Sequence, residues 1–468
     1  MGGNFARAPG FFVSLRMTKF EIAPEVGPGG PWWRLLTREH WIVFVGASLA
    51  WLFDCLDSQL FNLARDGAME DLVGDRTQAT ILAPYTTSVF LLGWAVGGLI
   101  FGSLGDRFGR ARILTLTILL YSLSTGLNAF ATSFVDFCVY RFVTGMGVGG
   151  VFGLAVALVA DTVPDRARPP ALGLLQSLST WGNVAAGLIG MGIGMLATIP
   201  FGLKGWQALF LIGALPAFLC VFVIRKMKEP EKWTTARAEG AKRGVKFGSY
   251  GTLLKHPRWR KHAWLGLIAC SSGIIGLWGI GNFNPTIVGA IIEQEMAARE
   301  LSPEAMASAK TFWRSTGLLL QNAGGFFGMM ALAKLAQVKG RRIAFALALL
   351  LSFLSTVLVF KFMRTTGQMY WMLPVMGFGQ LSVFGVFAVY LPELFPTSLR
   401  STGTSFCYNV GRIVAATAPF TISRITAKLG GNVEAFRTAG LWVSLVLLVG
   451  IAVLPFLPET KDQALPEE

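Results

Sequence analysis

The chain has 468 residues, 53% of them hydrophobic and only 14% charged, with a mean hydropathy of +0.55. A soluble domain carries about 25% charged residues, so a soluble globular protein is excluded. The net charge of +15 is spread between long apolar blocks rather than gathered on one stripe, which argues against a nucleic-acid surface.

Apolar blocks of about 18 residues or more read as membrane-crossing helices, because a bilayer offers backbone N–H and C=O groups no other partner. Hydropathy predicts spans at 40–63, 79–104, 113–131, 134–160, 170–199 and 207–225, then at 263–291, 311–336, 343–363, 369–395, 402–426 and 437–457. A tail (1–39) precedes them, a basic linker (226–262) divides them, and a short tail (458–468) follows. Pro9, Pro24, Pro28 and Pro31 break up the first tail, so it does not read as a cleaved signal, and Met17 is an alternative start. Roughly two thirds of the 41 Lys and Arg lie in the segments that alternate spans place on one side, so both termini are expected in the cytoplasm.

Span one contains Trp51-Leu-Phe-Asp54-Cys-Leu-Asp57, with two carboxylates three residues apart on one helix face. Spans two and three are joined by the basic turn Gly102-Ser-Leu-Gly-Asp106-Arg107-Phe-Gly109-Arg110-Ala-Arg112. Span four places Arg141 ahead of Gly145, Gly147, Gly149 and Gly150. An unpaired Arg in a span costs about 3 kcal/mol on insertion scales, so Arg141 needs a partner. At ~1.5 Å per residue, Asp57 and Arg141 both lie roughly 10 Å below the outer surface, level enough to pair. Such a pair is either a static bridge or a proton switch, in which movement of the Arg changes the proton affinity of the surplus carboxylate.

In the second half, Asn282-Phe-Asn284-Pro285 predicts a broken helix in span seven. Arg314 is expected to snorkel to the outer interface. Arg412 in span eleven stands near the midplane with no acid at a similar depth in its half. Its planar fork suits a carboxylate ligand, with Asp54 as the alternative partner. Tyr85, Gln176, Trp181, Asn183, Trp278, Gln321, Asn322, Gln380 and Asn409 are further polar or amphipathic positions within spans. Each is a candidate for substrate contact or for helix–helix hydrogen bonding.

The halves repeat at an offset of roughly 230 residues. Gly145-Met-Gly147 matches Gly377-Phe-Gly379, and Gly109-Arg110 matches Gly340-Arg341. Asp161-Thr-Val-Pro164 with Arg168 matches Glu393-Leu-Phe-Pro396 with Arg400, and Glu229-Pro-Glu231 matches Leu457-Pro-Glu459.

The turn around Asp106 resembles the signature loop of the major facilitator superfamily. The Arg141–glycine run resembles the motif of its sugar and proton-coupled members. Asp54-Cys-Leu-Asp57 is similar to the Asp-Gly-Phe-Asp sequence of aromatic-acid and sialic-acid symporters, with Cys55 and Leu56 in place of Gly and Phe. The resemblance covers residues 40–461 and implies an all-α membrane protein of twelve transmembrane helices in two pseudo-symmetric six-helix bundles. It further implies an inner gate built from Asp106, Arg107, Gly109, Arg110, Asp161, Arg168, Glu393 and Arg400. In the second half Gln337 stands where Asp106 stands in the first, which weakens any charged latch there.

The chain has no phosphate-binding Gly-x-x-x-x-Gly-Lys-Ser/Thr loop, no ligand spacing among His40, His256 and His262, and no disulfide-type cysteine pattern. ATP-driven pumping, a metal, a cofactor and enzymatic chemistry are therefore not expected. Span five lacks the Gly-Pro pair of many drug/proton antiporters, which favours uptake over efflux. The expected activity is proton-coupled uptake of a small organic anion by a monomer in the plasma (inner) membrane. A sugar or polyol porter and a membrane nutrient sensor are the alternatives.

Overall fold

A computed structural model of the chain describes residues 30–195, 200–215, 218, 225–281, 284–297 and 303–466. Among the described residues the regular structure is helical throughout. Span one is Arg38–Val73, span two Arg76–Phe108, span three Arg110–Asn128 and span four Phe134–Thr162. Span five combines Arg168–Ser177 with Ser179–Met195, and span six begins with Gly205–Ala214. Span seven runs through Pro257–Ile274, a π turn at Ile275–Ile280 and Asn284–Ala297. Spans eight to ten are Pro303–Lys339, Arg341–Phe362 and Thr366–Glu393. Span eleven is Arg400–Ala415 followed by Ala418–Lys428, and span twelve is Val433–Ser444, Val446–Val453 and Leu454–Phe456.

Local chemistry sets the starts. Ser133 Oγ accepts from the Asp136 N–H (3.1 Å) at the head of span four. Thr365 Oγ1 accepts from the Gln368 N–H (3.3 Å) at the head of span ten. Gly109 and Gly340 enter spans three and nine at φ 112° and 113°, a backbone region that a side chain would strain. The two turns are therefore the same structure built twice.

Several helices differ from the hydropathy reading. Span one runs ten residues past its apolar block, to Val73, because the polar continuation from Arg65 remains helical. Spans five and eleven, which occupy the same place in their halves, both break and restart. The linker contains two short helices, Glu231–Arg243 and Tyr250–Lys255.

Seven of the described helices are individually long and apolar enough to cross a membrane. The other spans are shortened by breaks or carry inward polar side chains. Burial separates centre from rim: the apolar window is 83% buried in span four and 78% in span ten, but 33% in span twelve. In the first half span four lies against spans two and three, and in the second half span ten lies against spans eight and nine. Between the halves, span eleven packs on span two and span five on span eight, contacts that the repeat exchanges. Gly30, the linker and Glu459 all meet the end bearing the Gly109 and Gly340 turns; this is the basic end.

Candidate functional site

At the basic end, the carboxylate of Asp106 reaches from span two to the first turn of span eleven. Its Oδ1 accepts from the Ser401 N–H (3.2 Å), and its Oδ2 from the Thr402 N–H and hydroxyl (both 2.8 Å). The acid thus satisfies orphan amides of a helix in the other half. Arg110 Nη2 donates to Asp106 Oδ1 (3.1 Å) and to the Thr397 carbonyl (2.8 Å). Asp161 of span four pairs with both Arg110 and Arg400 of span eleven, and all three side chains are buried. Breaking a buried pair of this kind costs about 3–5 kcal/mol.

The other gate candidates do not join this cluster. Glu393 holds Arg341 in a bidentate pair (2.8 Å each) and accepts from the Thr460 hydroxyl (2.6 Å), all within the second half. Arg168 donates to the Ala160 carbonyl (2.9 Å) and pairs with its neighbour Asp165. Arg107 reaches the linker, donating to the Phe247 carbonyl (3.3 Å). Gln337 makes a neutral contact, Nε2 to the Arg166 carbonyl (2.8 Å), that does cross between the halves.

Two acids at this end have roles that sequence reading did not assign. The Glu229 carboxylate accepts from the N–H groups of Arg110 (2.8 Å), Ala111 (3.2 Å) and Arg112 (3.1 Å). Glu459 accepts from those of Arg341 (2.8 Å) and Arg342 (3.1 Å). Glu229, not Glu231, is therefore the counterpart of Glu459, and the repeat register shifts by two residues there. In the linker, burial, reinforced by the Asp106 charge, pushes the Tyr250 phenol up. Tyr250 accordingly remains a donor to the Leu99 carbonyl (2.6 Å).

Between the halves lies a cavity whose wall is shared by both, with Trp94 and Gln176 from the first and Trp278 and Asn322 from the second. Arg412 lines it and is only 4% exposed. Its guanidinium carbon lies 3.5 Å from the ring centroid of Trp94, 4.9 Å from Tyr408 and 5.1 Å from Trp278. Nε and Nη1 have no hydrogen-bond partner, and among the described residues Arg412 forms no ion pair. Cation–π contact is worth about 2 kcal/mol when desolvated, less than the several kcal/mol needed to bury an ion. The aromatic cage therefore orients the guanidinium without balancing its charge.

Asp54 is buried beside this region with both oxygens unpartnered, so the pairing with Arg412 considered above is not formed. Asp57 and Arg141 do not touch directly. The Thr125 hydroxyl stands between them, donating to Asp57 Oδ1 (2.7 Å) and accepting from Arg141 Nη2 (3.4 Å). Arg141 also donates to Asn128 Oδ1 (3.0 Å) and the Thr144 hydroxyl (3.3 Å), and sits over Phe210 (4.8 Å) and Phe61 (4.9 Å). The expected ion pair is thus replaced by a hydroxyl bridge.

Gln176, Asn183, Gln321 and Asn322 line the cavity, and Asn183 Nδ2 donates to Asn322 Oδ1 (2.9 Å) across the halves. Gln380 stands behind the wall, fully buried, donating to Thr356 Oγ1 (2.9 Å) and accepting from Gln321 (3.3 Å). Tyr85 (59% exposed) and Trp181 (56% exposed) are off the cavity wall; Trp181 meets Phe326 of span eight edge-on (6.3 Å). Two residues along a helix turn the side chain by roughly 200°, which explains the split between Trp181 and Asn183. Asn282 and the side chain of Asn284 lie outside the described residues. Trp94 and Tyr408 were not singled out from the sequence, because a lone aromatic in an apolar span carries no signal of its own.

The model of the Major Facilitator Superfamily matches residues 47–419. The chain belongs to the major facilitator superfamily. As such it is a membrane transporter and not an enzyme. Among its relatives, the cis,cis-muconate transport protein of Acinetobacter baylyi is 29% identical over 84% of this chain and 88% of that protein. The niacin transporter NiaP of the same organism is 25% identical over 90% and 94%. A solved structure of the proton:xylose symporter XylE bound to 6-bromo-6-deoxy-D-glucose superposes with a TM-score of 0.68. It covers 91% of this chain and 98% of its own at 17% identity, a likeness of fold alone. The twelve-helix facilitator fold in two six-helix bundles follows from that likeness and the family. Within that fold the cavity lies between the bundles, where transporter repeats place their sites.

Proposed function

We propose that this facilitator takes up a small organic carboxylate together with a proton, alternating access between its two bundles as a monomer. The carrying observation is Arg412, a buried guanidinium in the cavity wall with two nitrogens unpartnered and, among the described residues, no acid paired to it. An anionic ligand would supply the missing charge and accept from that edge in fork geometry. The names of the relatives agree in kind, since muconate and niacin are both carboxylates. Asp54, buried and without a hydrogen-bond partner, is the proton carrier, and Asp57, Thr125 and Arg141 form the adjoining polar relay. The basic end faces the cytoplasm of a plasma (inner) membrane, an orientation supported by the Lys and Arg distribution. The gate of Asp106, Arg110, Asp161 and Arg400 closes that side.

The test is uptake into proteoliposomes under an imposed pH gradient, with labelled carboxylates. Arg412→Ala should abolish saturable carboxylate uptake, and Asp54→Asn should retain exchange while losing accumulation. Unchanged affinity in Arg412→Ala would remove the anion site. A sugar or polyol porter is the second reading, favoured by the amides of Gln176, Asn183, Gln321 and Asn322 in the same wall. It predicts that sugars, and not carboxylates, compete for uptake.

A further inference from the structure

The linker carries a charge pattern that the gate does not use. Lys242, Arg243 and Lys246 leave its first helix, and Lys255, Arg258, Arg260 and Lys261 enter span seven. No Asp or Glu occurs between Lys242 and Lys261, and all seven cations are exposed. None of them forms an ion pair among the described residues, whereas Lys228 and Lys232, earlier in the linker, do. The second group sits at the membrane boundary of span seven. Arg258 lies over the Trp259 ring (4.7 Å), His256 stacks on the same ring (5.6 Å), and Trp264 is 50% exposed just inside the span. Aromatic side chains at that depth mark the headgroup layer.

The stretch between the two basic groups is bonded across the gate. Ser103 Oγ donates to the Gly248 carbonyl (2.5 Å), and the Gly248 N–H donates to the Ser398 carbonyl (2.9 Å). Ser103 belongs to the first bundle, and Ser398 stands at the entry to span eleven of the second. Gly248 has φ 63°, and a Cβ there would run into the Ser103 carbonyl oxygen. Arg107 and Tyr250 fasten the same stretch to span two. Separating the bundles at this end must break one side of that clamp.

We propose that the segment Lys242–Lys261 binds anionic phospholipid headgroups and that this binding holds the basic-end gate closed. Clustered Lys and Arg beside a span are drawn to an anionic leaflet. Anchoring both flanks keeps the Phe247–Tyr250 stretch lying across the seam. The inference needs only the membrane placement of span seven and is independent of the solute. A free phosphate compound presents the same chemistry without a membrane, and the experiment separates the two.

The full chain is reconstituted in nanodiscs of phosphatidylcholine alone or mixed with phosphatidylglycerol. Melting is followed together with maleimide labelling of a cysteine introduced at Ser405 in a cysteine-free background. Phosphatidylglycerol should raise the melting temperature and slow labelling by roughly twofold or more. Both responses should disappear in K242Q/R243Q/K246Q/R258Q/R260Q/K261Q and persist in the charge-preserving R258K/R260K/K261R. Inorganic phosphate added to phosphatidylcholine discs should reproduce neither. Equal responses in the wild type and the neutralised variant overturn the proposal. So does reproduction of both responses by phosphate, which would assign the site to a soluble phosphate compound.

Discussion

Arg412 shows how a single residue acquires meaning from three helices. Its sequence neighbours mark it only as a cation near mid-membrane. The structure surrounds it with Trp94 of span two, Trp278 of span seven and Tyr408 one turn away, and leaves Nε and Nη1 buried without a hydrogen-bond partner. The stacking needs a flat, delocalised cation, so Lys is a poor substitute. Arg412→Lys is expected to weaken carboxylate transport about tenfold or more, equivalent to ~1.4 kcal/mol, in initial-rate uptake. Retention of wild-type KM would show that the planar fork is not what the substrate meets. The Asp57–Thr125–Arg141 bridge makes the complementary point. Depth along the helices is legible in the sequence, and in the structure one hydroxyl joins Asp57 and Arg141. Which side chain stands between them depends on the rotation of span three, which hydropathy does not fix.

At the scale of elements, the repeat explains why the same device recurs at the heads of spans three and nine. A glycine at positive φ turns the chain, and a distant glutamate caps the new helix: Glu229 for span three and Glu459 for span nine. The carboxylate meets both orphan N–H groups and the positive helix end. Glu229→Gln and Glu459→Gln should each lower stability by about 0.5–2 kcal/mol, read as a lower melting temperature in detergent. Glu231→Gln, two residues from Glu229, should leave melting unchanged. Equal shifts for Glu229 and Glu231 would contradict the capping register. In the sequence Glu231 matches Glu459 because both follow a proline; only the hydrogen bonds reveal which carboxylate reaches the helix end.

For the whole molecule, the two bundles meet at the basic end through one acid shared by two arginines. Asp161 lies in the first bundle, Arg110 beside it, and Arg400 in the second. Asp161→Asn leaves the buried Arg400 guanidinium without a counter-charge and Arg110 with Asp106 alone, at a cost of about 3–5 kcal/mol borne by the closed gate. A shift of about 5.5 kcal/mol inverts a 1:99 equilibrium, so the variant should open the basic end substantially. Faster labelling of a cysteine at Ser405 by an impermeant reagent would report this, and labelling at the wild-type rate would refute the latch. The class of molecule is already legible in the amino-acid sequence: apolar blocks demand spans, their doubling demands two related bundles, and the basic turns indicate which loops share a side. These follow from solvation and backbone hydrogen bonding, which act on each segment alone. It takes the packed helices to reveal that Asp106 caps a helix of the opposite bundle, that Asp54 and Arg412 do not pair with each other, and that Tyr85, Trp181 and Gln380 do not line the cavity. Those facts depend on the rotation of one helix against another, which is set by packing among residues hundreds of positions apart.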